Sequence, residues 1–154
     1  LEINIEITFD DAAIGNQTLT YCHSDGSFAA ELASARTFCQ LRDVELMKNT
    51  GLALGGSLDN AVVVDNGKIL NDGGLRMERE FVRHKALDCL GDLLLLGLPV
   101  KAKFTAHRPG HALNTKLVQT LLNDPSTFKI VEAGTTHSRS DSFVLPEFAA
   151  AATA

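Results

Sequence analysis

A histidine and two aspartates follow one another at intervals of one helical turn in residues 81–92, F-V-R-H-K-A-L-D-C-L-G-D. On a helix of 3.6 residues per turn, His84 and Asp88 lie one turn apart, and Asp92 continues the same face. An imidazole and a carboxylate at this spacing can both reach one divalent metal ion, and the second carboxylate can orient a neighbouring side chain. For the pair alone, a solvated polar stripe on an amphipathic helix is the simpler interpretation, so the case for a metal depends on the surrounding motifs.

A second histidine could work together with Asp92. His111 ends the motif R-P-G-H and leads into a predicted helix, and the Pro-Gly step allows a sharp approach of the loop. A carboxylate beside an imidazole favours the protonated ring, which suits a group that donates a proton near neutral pH. The alternative is that His111 merely caps backbone groups where the helix begins.

Further motifs surround these residues in a fixed order, and together they resemble one enzyme family. Over about residues 1–131 the chain is similar to the C-terminal half of UDP-3-O-acyl-N-acetylglucosamine deacetylase, the zinc enzyme of the committed step in lipid A synthesis. Enzymes of that family have two similar domains, and this sequence corresponds to the second. The motifs are A-R-T-F at 35–38, G-G-S-L-D-N-A-V-V-V-D at 55–65, L-N-D-G-G-L-R at 70–76, E-F-V-R-H-K-A-L-D-C-L-G-D at 80–92 and G-H-A-L-N at 110–114.

The resemblance implies a role for each member of the polar stripe. His84 and Asp88 would bind zinc, and the other domain would supply a second histidine ligand and the glutamate that acts as general base. Two protein ligands fall short of the usual three for catalytic zinc, so this domain alone is expected to bind the metal weakly. His111 would be the catalytic acid, held in place by Asp92.

Four more residues acquire a function only through the resemblance. Thr37 would donate a hydrogen bond to the oxyanion, and Lys85 would offer a cation to a carbonyl or diphosphate oxygen. Phe38 would lie against the sugar, and Asp43 would contact its hydroxyl groups. Without the resemblance these residues read as a strand threonine, a surface lysine, a core phenylalanine and a solvated charge.

The segment of about residues 39–70 is expected to form a βαβ-like insert that makes the passage for the substrate's acyl chain. Its small and apolar residues suit that task, because an aliphatic lining is what burial of a fatty acyl group requires. The glycines match no phosphate-binding loop, and close helix–strand packing explains them without a ligand. The candidate substrate contacts in the insert are Gly56, Ser57, Ala61 and Val63.

Composition restricts the class of protein. The 154 residues suffice for one domain, and 45% hydrophobic with 21% charged residues is typical of a soluble globular protein. A net charge of −5 without a basic cluster argues against a nucleic-acid partner. Cys22, Cys39 and Cys89 show no zinc-knuckle spacing and indicate reduced thiols in the cytoplasm. No signal peptide or membrane-spanning run is visible, and the start at Leu1 without Met is expected if something preceded it.

Local patterns predict the secondary structure. Alternation from Leu1 to Phe9 indicates a strand with one buried face, and Asp65-Asn66-Gly67 is typical of a tight hairpin turn. A helix carrying His84 is expected from about Arg76 to Gly97, where Pro99 follows. The other predicted elements are strands at 17–22, 61–64, 68–70, 100–106 and 127–131, and helices at 27–33, 42–49 and 112–122.

Strands and helices that mix with hairpins predict an α+β fold. We expect a two-layer sandwich of a mainly antiparallel sheet with helices on one face and the βαβ-like insert. Residues 1–131 would form the second catalytic domain, and residues 132–154 a partly flexible tail.

The implied activity is zinc-dependent hydrolysis of the acetamide of UDP-3-O-acyl-N-acetylglucosamine to the free amine and acetate, with the N-terminal domain of the same enzyme as partner. This half alone is expected to be inactive. Two alternatives stay open from the residues: a non-catalytic module that binds the acylated sugar nucleotide, and a structural α+β domain without a ligand.

Overall fold

The computed structural model describes residues 1–24 and 26–132 of the chain. All but the first residue of the tail expected at 132–154 therefore lies outside the described residues. The elements are β1 (Glu2–Thr8), β2 (Asn16–Cys22), α1 (Ser27–Glu31), β3 (Thr37–Gln40), α2 (Leu41–Asn49), β4 (Ala61–Asp65), β5 (Lys68–Ile69), α3 (Glu80–Leu93), β6 (Lys103–His107) and α4 (His111–Asn123), with 3-10 helices at Leu94–Leu96 and Pro125–Thr127.

The first sheet has the strand order β2-β1-β6 and provides the support for the two long helices. β1 pairs antiparallel with β2 and parallel with β6. The alternation seen in the sequence turns Ile3, Ile5 and Ile7 inward, where they are buried. Helix α3 packs across β1 and β2, so its polar stripe is held at the edge of a well-packed layer.

The second sheet is the predicted insert. β3 pairs in parallel with β4, placing Thr37 beside Ala61, and α2 connects the two strands as the helix of a βαβ unit. β4 then pairs antiparallel with β5 through the two-residue turn Asn66-Gly67. Both turn residues have positive φ angles, 47° and 77°, which is the conformation that tight hairpins favour.

The expected α+β class is confirmed, and the strand pairing is more mixed than the sequence suggested. Each of the two three-stranded sheets contains one antiparallel and one parallel pair. The parallel pairs arise because β6 returns after α3 and β4 returns after α2, and a helical crossover brings the chain back in the same direction.

One hydrophobic core joins both sheets to α3. Apolar side chains at the buried stripe of the helix meet those of β1 and of the insert strand β4, and each large side chain that is fully buried contributes about 1.5–3 kcal/mol. The core residues from these three elements are Ile3, Ile5, Ile7, Val62, Val64, Phe81, Val82, Ala86, Cys89 and Leu90.

Helix α3 begins four residues later than the sequence suggested. Residues before Glu80 fold back over its side chain, and the backbone N–H of Arg76 donates to Glu80 Oε2 at 2.7 Å. Arg79 adopts a left-handed backbone conformation with φ 54°. The Glu80 carboxylate therefore organises the preceding loop, a role that helical periodicity does not reveal.

The strand predicted at 127–131 is wrong. Asp124 accepts a hydrogen bond from the backbone of Ser126 and fixes a 3-10 turn at Pro125–Thr127. The residues after the turn pair with no described strand, and Ile130 is 76% exposed. An apolar run without a neighbouring strand edge does not form sheet.

Among the described residues, no helix is both long and apolar enough to cross a membrane.

Candidate functional site

The polar stripe of α3 lies at the boundary between core and solvent. His84 and Asp88 expose only 14% and 10% of their side chains, while Phe81, Ala86 and Cys89 on the neighbouring stripe are fully buried. The apolar stripe fixes how the helix is rotated, because turning it would expose these residues. The helix therefore presents its imidazole and carboxylates to a defined, partly dry edge.

His84 and Asp88 are spaced as two ligands of one metal ion. His84 Nε2 and Asp88 Oδ1 are 3.3 Å apart, and two ligand atoms about 2.0–2.1 Å from a tetrahedral zinc lie about 3.3–3.4 Å apart. His84 Nδ1 faces the carbonyl oxygen of Ala35 at 3.3 Å. A hydrogen bond donated there leaves the lone pair of Nε2 free for a metal.

The surroundings also keep His84 in its metal-binding protonation state. Burial lowers the pKa of His84 below its ordinary value, and the neighbouring Asp88 and the Ala35 carbonyl offset only part of that effect. The imidazole is therefore neutral near pH 7, as ligation requires. Asp88 uses its other oxygen, Oδ2, to accept a hydrogen bond from Lys85 Nζ at 2.9 Å.

Zinc itself stays a prediction. Among residues 1–24 and 26–132, no three His, Cys, Asp or Glu side chains are arranged to hold a metal ion. His84 and Asp88 thus form a pair of donors that fits zinc chemistry but needs further ligands.

The second predicted pair, Asp92 and His111, also comes together. α4 starts at His111 because Gly110 is fully extended, and this brings the ring against α3. His111 Nδ1 lies 3.0 and 3.1 Å from the two oxygens of Asp92. Its Nε2 points to the first pair, 3.8 Å from Asp88 Oδ1, and the side chain is 70% exposed. The exposed nitrogen of the ring can exchange a proton while the other is held.

Asn114 also contacts Asp92, and the sequence alone did not identify it as a site residue. It is buried on α4, and its Nδ2 donates to Asp92 Oδ2 at 2.8 Å. Cys89 lies below it, and burial raises the pKa of that thiol to about 12, so it stays a neutral S–H. The available signal was position: Asn114 follows His111 by three residues in G-H-A-L-N, on the same helix face.

A buried ion pair behind the site was missed as well. The carboxylate of Glu80 accepts hydrogen bonds from Arg36 N, Nε and Nη2 at 2.9, 2.9 and 3.1 Å, and Arg36 Nη2 also donates to the carbonyl oxygen of Gly74. The pair ties the start of β3 to the start of α3, so it fixes Ala35 and Thr37 relative to His84. Arg36 beside apolar or small neighbours in A-R-T-F was the available signal.

The remaining residues of β3 and α3 frame the site. Phe38 packs edge-on against Phe81, and its ring centroid is 6.3 Å from that of His84. Lys85 Nζ lies 5.6 Å from the centre of the Phe38 ring, a cation–π distance. Thr37 is exposed at the first position of β3. Phe38 and Lys85 therefore border the His84–Asp88 pair with an aromatic ring and a cation, and Thr37 precedes Phe38 on the same strand.

The candidate residues of the insert do not join this cluster through any described hydrogen bond or ion pair. Asp43 lies exposed in the first turn of α2, 4.0 Å from Arg42. Burial raises the pKa of the Cys39 thiol, and the charge of Asp43 raises it further. Ser57 accepts a hydrogen bond from the backbone of Asp59 and shapes the turn that follows Gly56. Ala61 and Val63 are buried on β4.

A cavity at the end of β1 does not coincide with the cluster. It has a volume of about 580 Å³ and opens between the end of β1, the insert and the loop before α4. Its polar lining includes Asp10, Asp11, Arg42 and Arg108. The hydrogen-bonded geometry of α3 and α4, and not cavity size, therefore identifies the candidate site.

Comparison with known proteins agrees with this geometry. The family model described as LpxC: UDP-3-O-acyl N-acetylglycosamine deacetylase matches residues 1–123. This chain belongs to that family. The match spans both helices of the cluster and the complete insert, so the resemblance read from the motifs is confirmed.

Curated relatives of the UDP-3-O-acyl N-acetylglycosamine deacetylase family share about half of the aligned residues. Proteins named UDP-3-O-acyl-N-acetylglucosamine deacetylase from Psychrobacter arcticus and Myxococcus xanthus are 52% and 51% identical, over 84% and 85% of this chain. The relative from Nitratiruptor is 48% identical over 88% of it. The chain spans 41%, 42% and 46% of the lengths of these relatives.

Proposed function

We propose that this protein supplies one half of the active site of a zinc-dependent deacetylase. The reaction is hydrolysis of the acetamide of UDP-3-O-acyl-N-acetylglucosamine to the free amine and acetate. The observation that carries the proposal is the junction of the His84–Asp88 pair with the His111–Asp92 pair, on two helices that lie within the family match.

Zinc would be held by His84 Nε2 and Asp88 Oδ1, with a histidine from a second domain completing the protein ligands. When bound there, the metal polarises the acetamide carbonyl and lowers the pKa of its water. The glutamate base would come from the same second domain, as the family resemblance implies.

The remaining steps use side chains of this chain. Lys85, which contacts Asp88, and Thr37, which is exposed at the start of β3, would donate hydrogen bonds to the negative charge that develops on the carbonyl oxygen. His111, held through Nδ1 by Asp92, would act in its doubly protonated form and deliver the proton on Nε2 to the leaving nitrogen, because an amide does not expel a free amide anion. Asp92 keeps the ring directed to Asp88 throughout.

The rest of the substrate would be bound by β3 and the insert. Phe38 offers a ring face for the sugar, and Asp43 would accept hydrogen bonds from its hydroxyl groups. The acyl chain would lie along the insert, where several leucines are exposed. Contact between the acyl chain and these leucines would remove aliphatic area from water. Besides the buried Ala61 and Val63, the exposed leucines of the insert are Leu41, Leu46, Leu52, Leu54, Leu58 and Leu70.

A non-catalytic module for the acylated sugar nucleotide is the second candidate. The two-donor set among the described residues favours it, since catalytic zinc normally has three protein ligands. The two candidates differ in one measurable property, which is whether zinc held at His84 and Asp88 is needed for turnover once a second domain is present.

The test combines this protein with the part of one of its relatives that it does not cover, and measures bound zinc and amine release from the acylated sugar nucleotide. His84→Ala and Asp88→Ala should each remove most of the zinc and the activity, because a catalytic site rarely tolerates loss of a ligand. His107→Ala is the matched control, since this exposed histidine pairs with Glu6 on the sheet. Unchanged zinc content in both site variants would contradict the proposal.

A further inference from the structure

Asn114 is a polar residue in an unusual place. It is only 4% exposed, one turn after His111 on α4, and its amide nitrogen lies 2.8 Å from Asp92 Oδ2. A buried amide that loses its partners costs about 1–3 kcal/mol, so such a residue is expected to be held by definite hydrogen bonds. Its partner here is the carboxylate that contacts the candidate acid.

We propose that Asn114 is a positioning residue that fixes the carboxylate of Asp92 and, through it, the ring of His111. The inference rests on the proposed function, because it names one more residue that the proton-donating step needs. Asn114 has no contact with the substrate side of the site among its described hydrogen bonds.

The geometry assigns the anchoring task to Asn114 and not to His111. Both contact Asp92 from α4, but the side chain of His111 is 70% exposed, so water competes for its hydrogen bonds. Asn114 approaches from the buried side, where no water competes. The buried amide of Asn114 thus holds one oxygen of Asp92. Both oxygens of Asp92 remain within 3.0–3.1 Å of His111 Nδ1.

Cys89 contacts both polar atoms of the Asn114 amide from the side of α3. Its sulfur lies 3.5 Å from Asn114 Nδ2 and 3.8 Å from Oδ1, and it is fully buried on α3. A thiol is a weak donor and a weak acceptor, so it satisfies the rest of the amide without competing strongly for the hydrogen bond to Asp92. The order of contacts is Cys89, Asn114, Asp92, His111.

The consequence is a defined tautomer of His111. A carboxylate held against Nδ1 accepts a hydrogen bond, so the neutral ring carries its proton on Nδ1 and leaves Nε2 to exchange protons on the side of Asp88. If Asp92 can rotate away, this preference is lost, and the exposed ring is free to turn.

The tautomer can be measured in this protein without zinc, substrate or activity. Nitrogen NMR of histidine-labelled protein, at a pH where the ring is neutral, reports which ring nitrogen is protonated, and His111→Gln assigns the signals. Asn114→Leu removes the donor, and Asn114→Asp keeps the shape but replaces the donor by an acceptor. Thr120→Ala is the control, because Thr120 is exposed on the same helix and bonds only to Lys116.

We expect the proton on Nδ1 of His111 in the wild type and the control, and a mixture of both tautomers in the two Asn114 variants. Should Asn114→Leu fail to fold, Asn114→Asp gives the answer. A wild-type tautomer in every folded Asn114 variant would overturn the inference.

Activity is the second readout, with the complementary part of a relative added in trans. The Asn114 variants should lower kcat by about 10–100-fold, the usual effect of a residue that orients a site group, with a smaller change in KM. Unchanged kcat beside a changed tautomer would overturn the inference. If the wild-type mixture does not deacetylate at all and the tautomer still depends on Asn114, the proposed function fails while the positioning role stands.

Discussion

At the scale of single residues, the two histidines of the site have the same arrangement of contacts around their ring nitrogens. Each ring has one nitrogen fixed from behind, His84 by the carbonyl of Ala35 and His111 by the carboxylate of Asp92. The other nitrogen of each ring turns to Asp88. Fixing one nitrogen determines what the other can do, so in the proposed function the same kind of side chain serves as a metal ligand at position 84 and as a proton carrier at position 111.

His111 provides a direct test of that division. His111→Ala should lower turnover by about 10²–10⁴-fold, the usual contribution of a general acid, with less effect on substrate binding. The fall of the rate on the basic side of the pH profile should disappear as well. Steady-state kinetics of the reconstituted enzyme over a range of pH measures both. A normal rate with an unchanged basic limb would exclude His111 as the acid.

Helical spacing identified the partners that lie close along α3, whereas of the distant partners only the Asp92–His111 pair was predicted, and the family resemblance carried that prediction. His84 and Asp88 belong to one helical turn, so their spacing was readable. Glu80 meets Arg36 and Asn114 meets Asp92 across 44 and 22 positions. No local period encodes such a meeting, because it depends on how the two helices and β3 pack.

At the scale of elements, the ion pair of Arg36 and Glu80 joins the insert to the helix that carries the site. Breaking it by Glu80→Ala leaves a buried guanidinium without a partner, and we expect a loss of about 3–5 kcal/mol in the free energy of unfolding. Urea unfolding followed by circular dichroism measures the loss. A change within the range of surface substitutions would show that the pair does not hold the elements together.

The same pair predicts how stability depends on pH. Burial acts to raise the pKa of Glu80, but the hydrogen bonds from Arg36 and Arg76 outweigh it, and the pKa lies below its ordinary value of 4.5. A lowered pKa in the folded state stabilises the protein fully above the unfolded-state pKa, and this stabilisation is lost as pH falls through the folded-state pKa. Glu80→Gln should therefore flatten the acid side of the stability curve. Glu78→Gln, on an exposed neighbour, should leave the curve unchanged.

If the acyl chain of the substrate lies along the insert, a substitution in the insert should change which acyl-chain lengths are preferred. Val63 is buried on β4 beside Cys39, and a larger side chain there takes volume from the proposed acyl passage. Val63→Phe should favour shorter acyl chains, because a filled apolar passage cannot accept extra methylenes without strain. Turnover of substrates with several acyl lengths measures this. An equal loss at every length would indicate general damage to the insert.

At the scale of the whole molecule, the described residues suffice for a folded core, whereas the proposed reaction also needs groups from a second domain. The described residues have a continuous core across both sheets, so the protein should fold by itself. The proposed site has two candidate metal donors, His84 and Asp88, and no residue that we assign as the base. Several leucines near it are exposed around α4, a surface suited to association. They are Leu94, Leu95, Leu98, Leu113, Leu117 and Leu122.

We therefore expect this protein alone to unfold cooperatively but not to deacetylate the substrate. Adding the complementary part of a relative in trans should restore some activity, if the two parts form a common interface around the metal. Amine release with and without that part, in the presence of zinc, is the measurement. Robust zinc-dependent turnover by this protein alone would place the base and the third ligand within these 154 residues.

The α+β class followed from the sequence, because alternation in β1 and the Asn66-Gly67 turn are local signals. The parallel pairing of β6 with β1 did not, since it depends on the path of the chain through α3. The strand predicted at 127–131 failed for a related reason: its residues have strand composition, yet the described fold offers them no free neighbour.

The place of β1 in the middle of its sheet has a consequence for the order in which the protein forms. β2 follows β1 directly, so these two strands can form a hairpin early. The other edge of β1 pairs with β6, which places Glu2 opposite Lys103, and this pairing can form only after β6 has been synthesised. During synthesis the alternating isoleucines of β1 therefore keep one unpaired edge until most of the domain has emerged. Late closure of a non-local strand pair is slow, and an open apolar edge invites other chains. β1, the first strand of this domain along the chain, is thus the last strand of its sheet to be paired on both edges.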